Sequence, residues 1–171
     1  PVHGLPSEDR IVFISAGESH SAAVSEYGLL YTWGSGKYSQ LGHGDEQDRI
    51  DPVLVQNLVD GGVNVVTVAC GFGQTVASAR DGALLFCGTG FSAGYYSHKT
   101  FTRYMLRDKK VTSISAGYRG CFAVTEDVAF WAYGQGEEGY LGHGRNASWL
   151  ALCKVTGAVV DSTFFGSWRM L

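Results

Sequence analysis

The chain has 171 residues, 45% of them hydrophobic and 17% charged, with a net charge of −3 from 13 Lys+Arg against 16 Asp+Glu. That is enough for one domain with a real core, too apolar for disorder, and without an overall electrostatic pull towards nucleic acid. No apolar run approaches the ~20 residues of a membrane span, and Pro1-Val2-His3-Gly4 has neither the basic nor the apolar region of a signal peptide.

Residues 1–10 are polar and read as a lead-in segment. Ile11-Val12-Phe13-Ile14 opens a strand, Ser21-Ala22-Ala23-Val24 a second, and the turn at Ser25-Glu26-Tyr27-Gly28 predicts a hairpin into Leu29-Leu30-Tyr31-Thr32-Trp33. A glycine-dense loop over 34–44 follows, then Asp51-Pro52 and a fourth strand at Val53-Leu54-Val55. The same plan begins again at Val65-Val66-Thr67-Val68, with Thr75-Val76-Ala77-Ser78, the turn Arg80-Asp81-Gly82 and Leu84-Leu85-Phe86-Cys87. It begins a third time at Val111, running through Phe122-Ala123-Val124 and Phe130-Trp131-Ala132-Tyr133 to Leu152-Cys153-Lys154-Val155. This third copy lacks the turn glycine and the proline before its last strand.

The register of these copies is strict. Ile14-Ser15-Ala16-Gly17, Val68-Ala69-Cys70-Gly71 and Ile114-Ser115-Ala116-Gly117 are each followed, 16 positions after the glycine, by Trp33, Cys87 or Tyr133 opening a Gly-x-Gly. Leu41-Gly42-His43-Gly44 recurs 100 positions on as Leu141-Gly142-His143-Gly144. The repeats span about 11–58, 63–106 and 111–155, and a partial fourth is read over 159–171. No segment carries a sustained helical stripe, and turn residues fall every 8–12 positions, so the expected class is all-β, with propeller blades of about four strands.

These motifs resemble the repeat of the regulator of chromosome condensation family: Ile14-Ser15-Ala16-Gly17, Tyr31-Thr32-Trp33-Gly34, Gln40-Leu41-Gly42-His43-Gly44 and Pro52-Val53 carry it almost whole. The third repeat carries most of it and the second its front half. The resemblance implies a β-propeller, seven-bladed in the founding members, which three repeats and a part cannot close. A fragment, a partner of other propeller segments or an open array are the alternatives, and open edges invite self-association. Some members of the family catalyse guanine-nucleotide exchange on a small GTPase and bind nucleosomes; many others are non-catalytic interaction modules. The motif is scaffold and does not choose between them.

The chemistry-bearing residues favour binding. Gly-x-Gly pairs lack the Gly-Lys-Ser/Thr ending and the helix of a phosphate cradle, so they read as turns. His43 and His143 belong to the repeat signature and read as structural, each ring bonding a nearby backbone group, and His20 has no partner at zinc-like spacing. Cys70, Cys87, Cys121 and Cys153 form no Cys-x-x-Cys pair and read as buried thiols of a reducing compartment, hence a cytoplasmic or nuclear protein. Asn146-Ala147-Ser148 fits a glycosylation acceptor, of consequence only in a secreted protein. No catalytic constellation stands out, so the expectation is a non-enzymatic module without metal, cofactor or small-molecule substrate. Its partner would be another protein, such as a small GTPase or chromatin. The candidate contact residues lie in predicted loops: Lys37, Tyr38, Asp45 and Glu46 in the first repeat, Tyr95 and Tyr96 in the divergent second, Glu137 and Glu138 in the third. Arg103 and Lys110 join them from a basic cluster with Arg107 and Lys109 that could meet phosphate or an acidic surface.

Overall fold

The computed structural model describes residues 5, 8–89, 97–118, 120–135, 139–142 and 149–155. They form three four-stranded antiparallel sheets. Sheet 1 is β1 (Ile11–Ala16), β2 (His20–Ser25), β3 (Leu30–Gly34) and β4 (Arg49–Leu54), in that order. Sheet 2 is β5 (Val65–Cys70), β6 (Gln74–Ala79), β7 (Leu84–Thr89) and β8 (Ser97–Tyr104). Sheet 3 is β9 (Val111–Ala116), β10 (Gly120–Thr125), β11 (Phe130–Gly134) and β12 (Trp149–Val155). The expected fourth repeat lies outside the described residues. One short helix, α1 (Gln56–Asp60), links the first two sheets and buries Leu58. The sequence reading did not include it, since five residues are too few to display a helical period. No helix among the described residues is long and apolar enough to cross a membrane.

Cross-strand register sorts the apolar residues onto two faces of each sheet. In sheet 1, Phe13-Val24-Leu30 and Ser15-Ala22-Thr32 form rows on one face, and Ile14-Ala23-Tyr31 and Ala16-Ser21-Trp33 form rows on the other. The first face meets the rows Val68-Ala77-Leu85 and Cys70-Thr75-Cys87 of sheet 2, closing a core in which Ala22, Ala77, Leu85 and Cys87 are all fully buried. The opposite face of sheet 2, through Val76, Leu84 and Phe86, packs on Ile114, Cys121, Ala123, Trp131 and Tyr133 of sheet 3. Among the described residues sheet 2 therefore gives one face to sheet 1 and the other to sheet 3. Burying one leucine side chain fully contributes ~2 kcal/mol, so these stacked faces are the main source of cohesion.

Two backbone devices repeat from sheet to sheet. After each first strand, the glycine N–H closes a tight turn onto the carbonyl three residues on: Gly17 to His20, Gly71 to Gln74 and Gly117 to Gly120 at 2.8–2.9 Å. These glycines are also where sheets approach most closely. A Cβ on Gly17 would meet the Gly71 carbonyl oxygen, and a Cβ on Gly71 would stand 2.6 Å from that of Gly117. The second device is the hairpin turn between second and third strands, which needs a left-handed residue: Gly28 (φ 80°), Gly82 (φ 92°) and, in the third sheet, Val128 (φ 59°). Valine pays for that conformation because its branched Cβ crowds the backbone.

Polar side chains tie the first two sheets. The Ser15 hydroxyl accepts the Cys70 N–H at 3.0 Å. Thr75 Oγ1 donates to the Gln40 carbonyl at 2.6 Å, and Cys87 Sγ donates to the same oxygen at 3.2 Å. With its proton so used, Thr75 accepts at 2.8 Å from His20 Nε2, which must carry the ring proton. Burial alone lowers the His20 pKa from 6.5 to about 4.

Two outcomes follow for stability. Val128→Gly relieves the one non-glycine turn, and urea unfolding should show a gain of about 1 kcal/mol; a loss would mean the turn is not strained. His20 is neutral in the folded chain, whereas the unfolded chain protonates it below pH 6.5. Stability therefore falls by up to about 1.4 kcal/mol per pH unit between pH 6.5 and 4. His20→Gln, which places there the amide that sheet 2 carries at Gln74, should remove that slope while leaving the carboxylate contribution unchanged.

Candidate protein-binding rim

The registers place the β1–β2 and β3–β4 connections at one end of the sheets, because Ala16 pairs with Ser21 and His20 with Gly34. The hairpin turns and the links between sheets lie at the other end, where Val24 pairs with Leu30. The sequence candidates divide between these ends. Lys37, Tyr38, Asp45 and Glu46 are at the first; Arg103, at the end of β8, and Lys110, just before β9, are at the second. Tyr95, Tyr96, Glu137 and Glu138 lie outside the described residues, as do His143 and Asn146-Ala147-Ser148.

At the first end an aromatic row crosses all three sheets. The Tyr38 ring lies 5.5 Å from that of Phe72, which lies 4.7 Å edge-on from that of Tyr118. The Lys37 ammonium sits 5.8 Å from the Tyr38 ring centre. Tyr38 is set by its own loop: Gln40 Oε1 accepts its N–H at 2.8 Å, and the ring rests on Gly73, where a Cβ would come within 3.1 Å. Phe72 and Tyr118 occupy one repeat position, directly after Gly71 and Gly117; Glu18 holds it in the first repeat, its N–H donating to the Gly71 carbonyl at 3.2 Å. Tyr118 is 56% exposed. Phe72 and Tyr118 were absent from the sequence-derived site. Their signal was available: a residue next to a glycine that cannot move aside is held at the loop tip.

Most of the charged candidates are already engaged. Asp45 accepts the Gln47 N–H at 3.0 Å and meets Arg49 at 2.7 Å, and these two interactions, in that order, hold its carboxyl below the usual range. Glu46 pairs with Lys99 of β8 at 3.0 Å, beside the Gly44 N–H to Lys99 carbonyl bond at 2.8 Å, which pins the loop to sheet 2. At the far end Arg103 pairs with Asp81 at 2.6 Å, while the Ala83 N–H, ahead of Arg103, lowers the Asp81 carboxyl. The Arg107 guanidinium lies 5.9 Å from the centre of the Trp131 ring, and the Lys110 stem lies against Gly82. The basic cluster is thus divided between a strand and its following link, with two of its charges directed to internal partners. Exposed pairs of this kind contribute at most about 1 kcal/mol each.

His43 bonds the Thr32 side chain, and the Thr32 backbone also hydrogen-bonds its ring, as expected from the sequence. The Thr32 hydroxyl donates to the Leu41 carbonyl at 2.7 Å and therefore accepts from His43 Nε2 at 3.0 Å. Burial first, then the Arg49 charge, lowers the His43 pKa. Cys70, Cys87 and Cys121 are free and buried. Burial pushes the Cys70 and Cys121 thiols to about 12 and Cys87 upward as well, so none supplies a thiolate at neutral pH. Among the described residues no group of three or more His, Cys, Asp or Glu could hold a metal ion. Among the described residues this end offers rings, the Lys37 ammonium and the Glu18 carboxylate, with Asp45 and Glu46 held in ion pairs.

Two models of the regulator of chromosome condensation (RCC1) repeat match the chain, over residues 27–78 and 11–40. Human HERC2, an E3 ubiquitin-protein ligase, is 35% identical over 151 residues, covering 82% of this chain but only 3% of that protein. The ultraviolet-B receptor UVR8 of Arabidopsis thaliana is 35% identical over 144 residues, covering 80% of this chain and 32% of its own. The chain thus spans a minor part of these relatives. Among solved structures, Prp20p of Saccharomyces cerevisiae, reported with its binding to Gsp1p and histones, superposes with a TM-score of 0.72 at 18% identity, covering 91% of this chain and 39% of that one. Yeast RCC1 (Prp20) bound to Kap60 gives 0.70 with 38% of that chain covered. The three sheets are accordingly propeller blades in an open stack, and the chain is an RCC1-like repeat protein.

Proposed function

We propose that this chain is a protein-interaction module that holds its partner on the rim formed by Glu18, Lys37, Tyr38, Phe72 and Tyr118. The single observation that carries the reading is the aromatic row of Tyr38, Phe72 and Tyr118, continuous across three blades. Rings presented on a rigid scaffold supply large contact area at little cost in side-chain entropy, which is why aromatic anchors dominate protein interfaces. Arg103 and Asp45 are less suited, since a partner would have to displace an existing ion pair to reach them. Guanine-nucleotide exchange on a small GTPase is the alternative the family supplies; in it the rim loops would hold open a nucleotide pocket, and no covalent step would fall to this chain. An intracellular setting agrees with the free thiols of Cys70, Cys87 and Cys121.

A second reading, self-association, rests on one comparison. Ile14 and Val68 occupy the same repeat position, yet Val68 is 2% exposed against blade 1 and Ile14 is 73% exposed. The face of blade 1 around Ile14 is built to be covered by another blade. Among the described lead-in residues Asp9 is buried there, and its charge, after burial, raises the Tyr31 phenol pKa.

Both readings are open to measurement. A photo-crosslinking residue at position 118 should trap a partner in cells far more efficiently than one at position 103; equal or reversed yields would refute the rim. Nucleotide release from a panel of purified small GTPases should be unaffected by the chain, and acceleration abolished by Tyr118→Ala would establish the alternative. Light scattering over a dilution series should show a mass that rises with concentration and returns to the monomer in Ile14→Lys. A monomer at every concentration would end the self-association reading.

A further inference from the structure

The seam between blades 1 and 2 holds three buried side-chain atoms without a hydrogen-bond partner: His20 Nδ1, Ser39 Oγ and Gln40 Nε2. The residues are 3%, 0% and 0% exposed. Such atoms are costly to leave unpaired, and folded proteins almost always satisfy them. Their hydrogen-bonding roles are fixed by the partners they do have. His20 Nε2 carries the ring proton because Thr75 has given its own to the Gln40 carbonyl, so Nδ1 is an acceptor. Gln40 Oε1 takes the Tyr38 N–H at 2.8 Å, so the free end of that amide is the donating NH₂. Ser39, held in a left-handed conformation at φ 59°, has a hydroxyl able to do either.

We infer that ordered water is bound inside this seam, donating to His20 Nδ1 and accepting from Gln40 Nε2 and Ser39 Oγ. The chemistry excludes the ionic choices: a cation is repelled by the amide NH₂, and an anion by the imidazole lone pair. Neutral molecules that both donate and accept suit all three groups, and buried waters typically serve such groups. Gly17 borders the place: a Cβ there would lie 3.0 Å from Nδ1, so a side chain at 17 would compete with the water. The seam lies directly under the Tyr38 loop, and its water completes the network that sets that loop on blade 2. This inference stands on the orphaned atoms alone and does not depend on what the rim binds.

An atomic-resolution crystal structure of the chain tests it. Water density within hydrogen-bond distance of His20 Nδ1 and of Gln40 Nε2 or Ser39 Oγ is expected. A dry seam, or protein atoms in contact with those groups, would overturn it. In solution, oxygen-17 relaxation dispersion should report long-lived water whose signal drops in Gln40→Met. An unchanged signal in a variant with native circular dichroism would count against it equally. Should Gln40→Met not fold, the wild-type density still decides.

Discussion

The closest approach between successive blades governs everything else in the structure. At the end of the first strands of blades 1 and 2 a glycine faces the backbone carbonyl of the equivalent glycine in the next blade, with no room for a Cβ at Gly17 or Gly71. That distance limits what fits between the sheets nearby. On the first two strands the residues flanking these glycines are small, among them Ser15, Ala22, Cys70, Thr75, Ala116 and Cys121. Bulk enters at the third-strand positions Trp33 and Tyr133, and farther from that end at Leu30, Leu85 and Trp131. A larger residue near the glycines would wedge the blades apart, and overpacking of that kind costs about 1–3 kcal/mol.

Within this fixed spacing the seams are filled differently. Position 20 is histidine in the first blade, glutamine at 74 in the second and glycine at 120 in the third. His20 reaches Thr75, and Gln74 Nε2 reaches the Gly117 carbonyl at 3.0 Å. The first seam is the more polar, since Gln40 brings a backbone carbonyl down to Thr75 and Cys87. The second relies on apolar contact and rings, with Phe86 edge-on to Tyr133 at 5.2 Å. Net hydrogen-bond gains are ~1 kcal/mol each, whereas an unpaired buried group loses more than that. The first seam therefore has more to lose from imperfection, which is why its protonation state matters.

The first three blades and their hairpin turns were legible because each rests on short-range rules: alternation of side chains, and turns that demand glycine. Where Val128 replaces the turn glycine, the hairpin persists, since strand pairing outweighs one strained residue. The site was less legible. Asp45, Glu46 and Arg103 stood out as charges, but Lys99 and Asp81, which engage two of them, come from distant segments, and nothing local announces the pairing. Phe72 and Tyr118 are 46 positions apart, and although the glycine before each marks a loop tip, nothing local says that the two rings meet. Only stacking of the blades brings them to one edge.

That edge explains how a scaffold so constrained can still be specialised. The residue after each repeat glycine lies beyond the region of closest approach, so blade packing does not dictate its type. Glutamate, phenylalanine and tyrosine occupy it in turn here, at Glu18, Phe72 and Tyr118. The polar groups nearer the core are committed to holding blades together: His20, Thr75 and Gln40 in one seam, Gln74 in the other. The Cys70, Cys87 and Cys121 thiols are buried and protonated. What remains free to vary without loss of the fold is a row of loop-tip side chains at fixed separations. Such a row presents contact area of varied shape and charge at fixed separations, which is what the proposed rim requires.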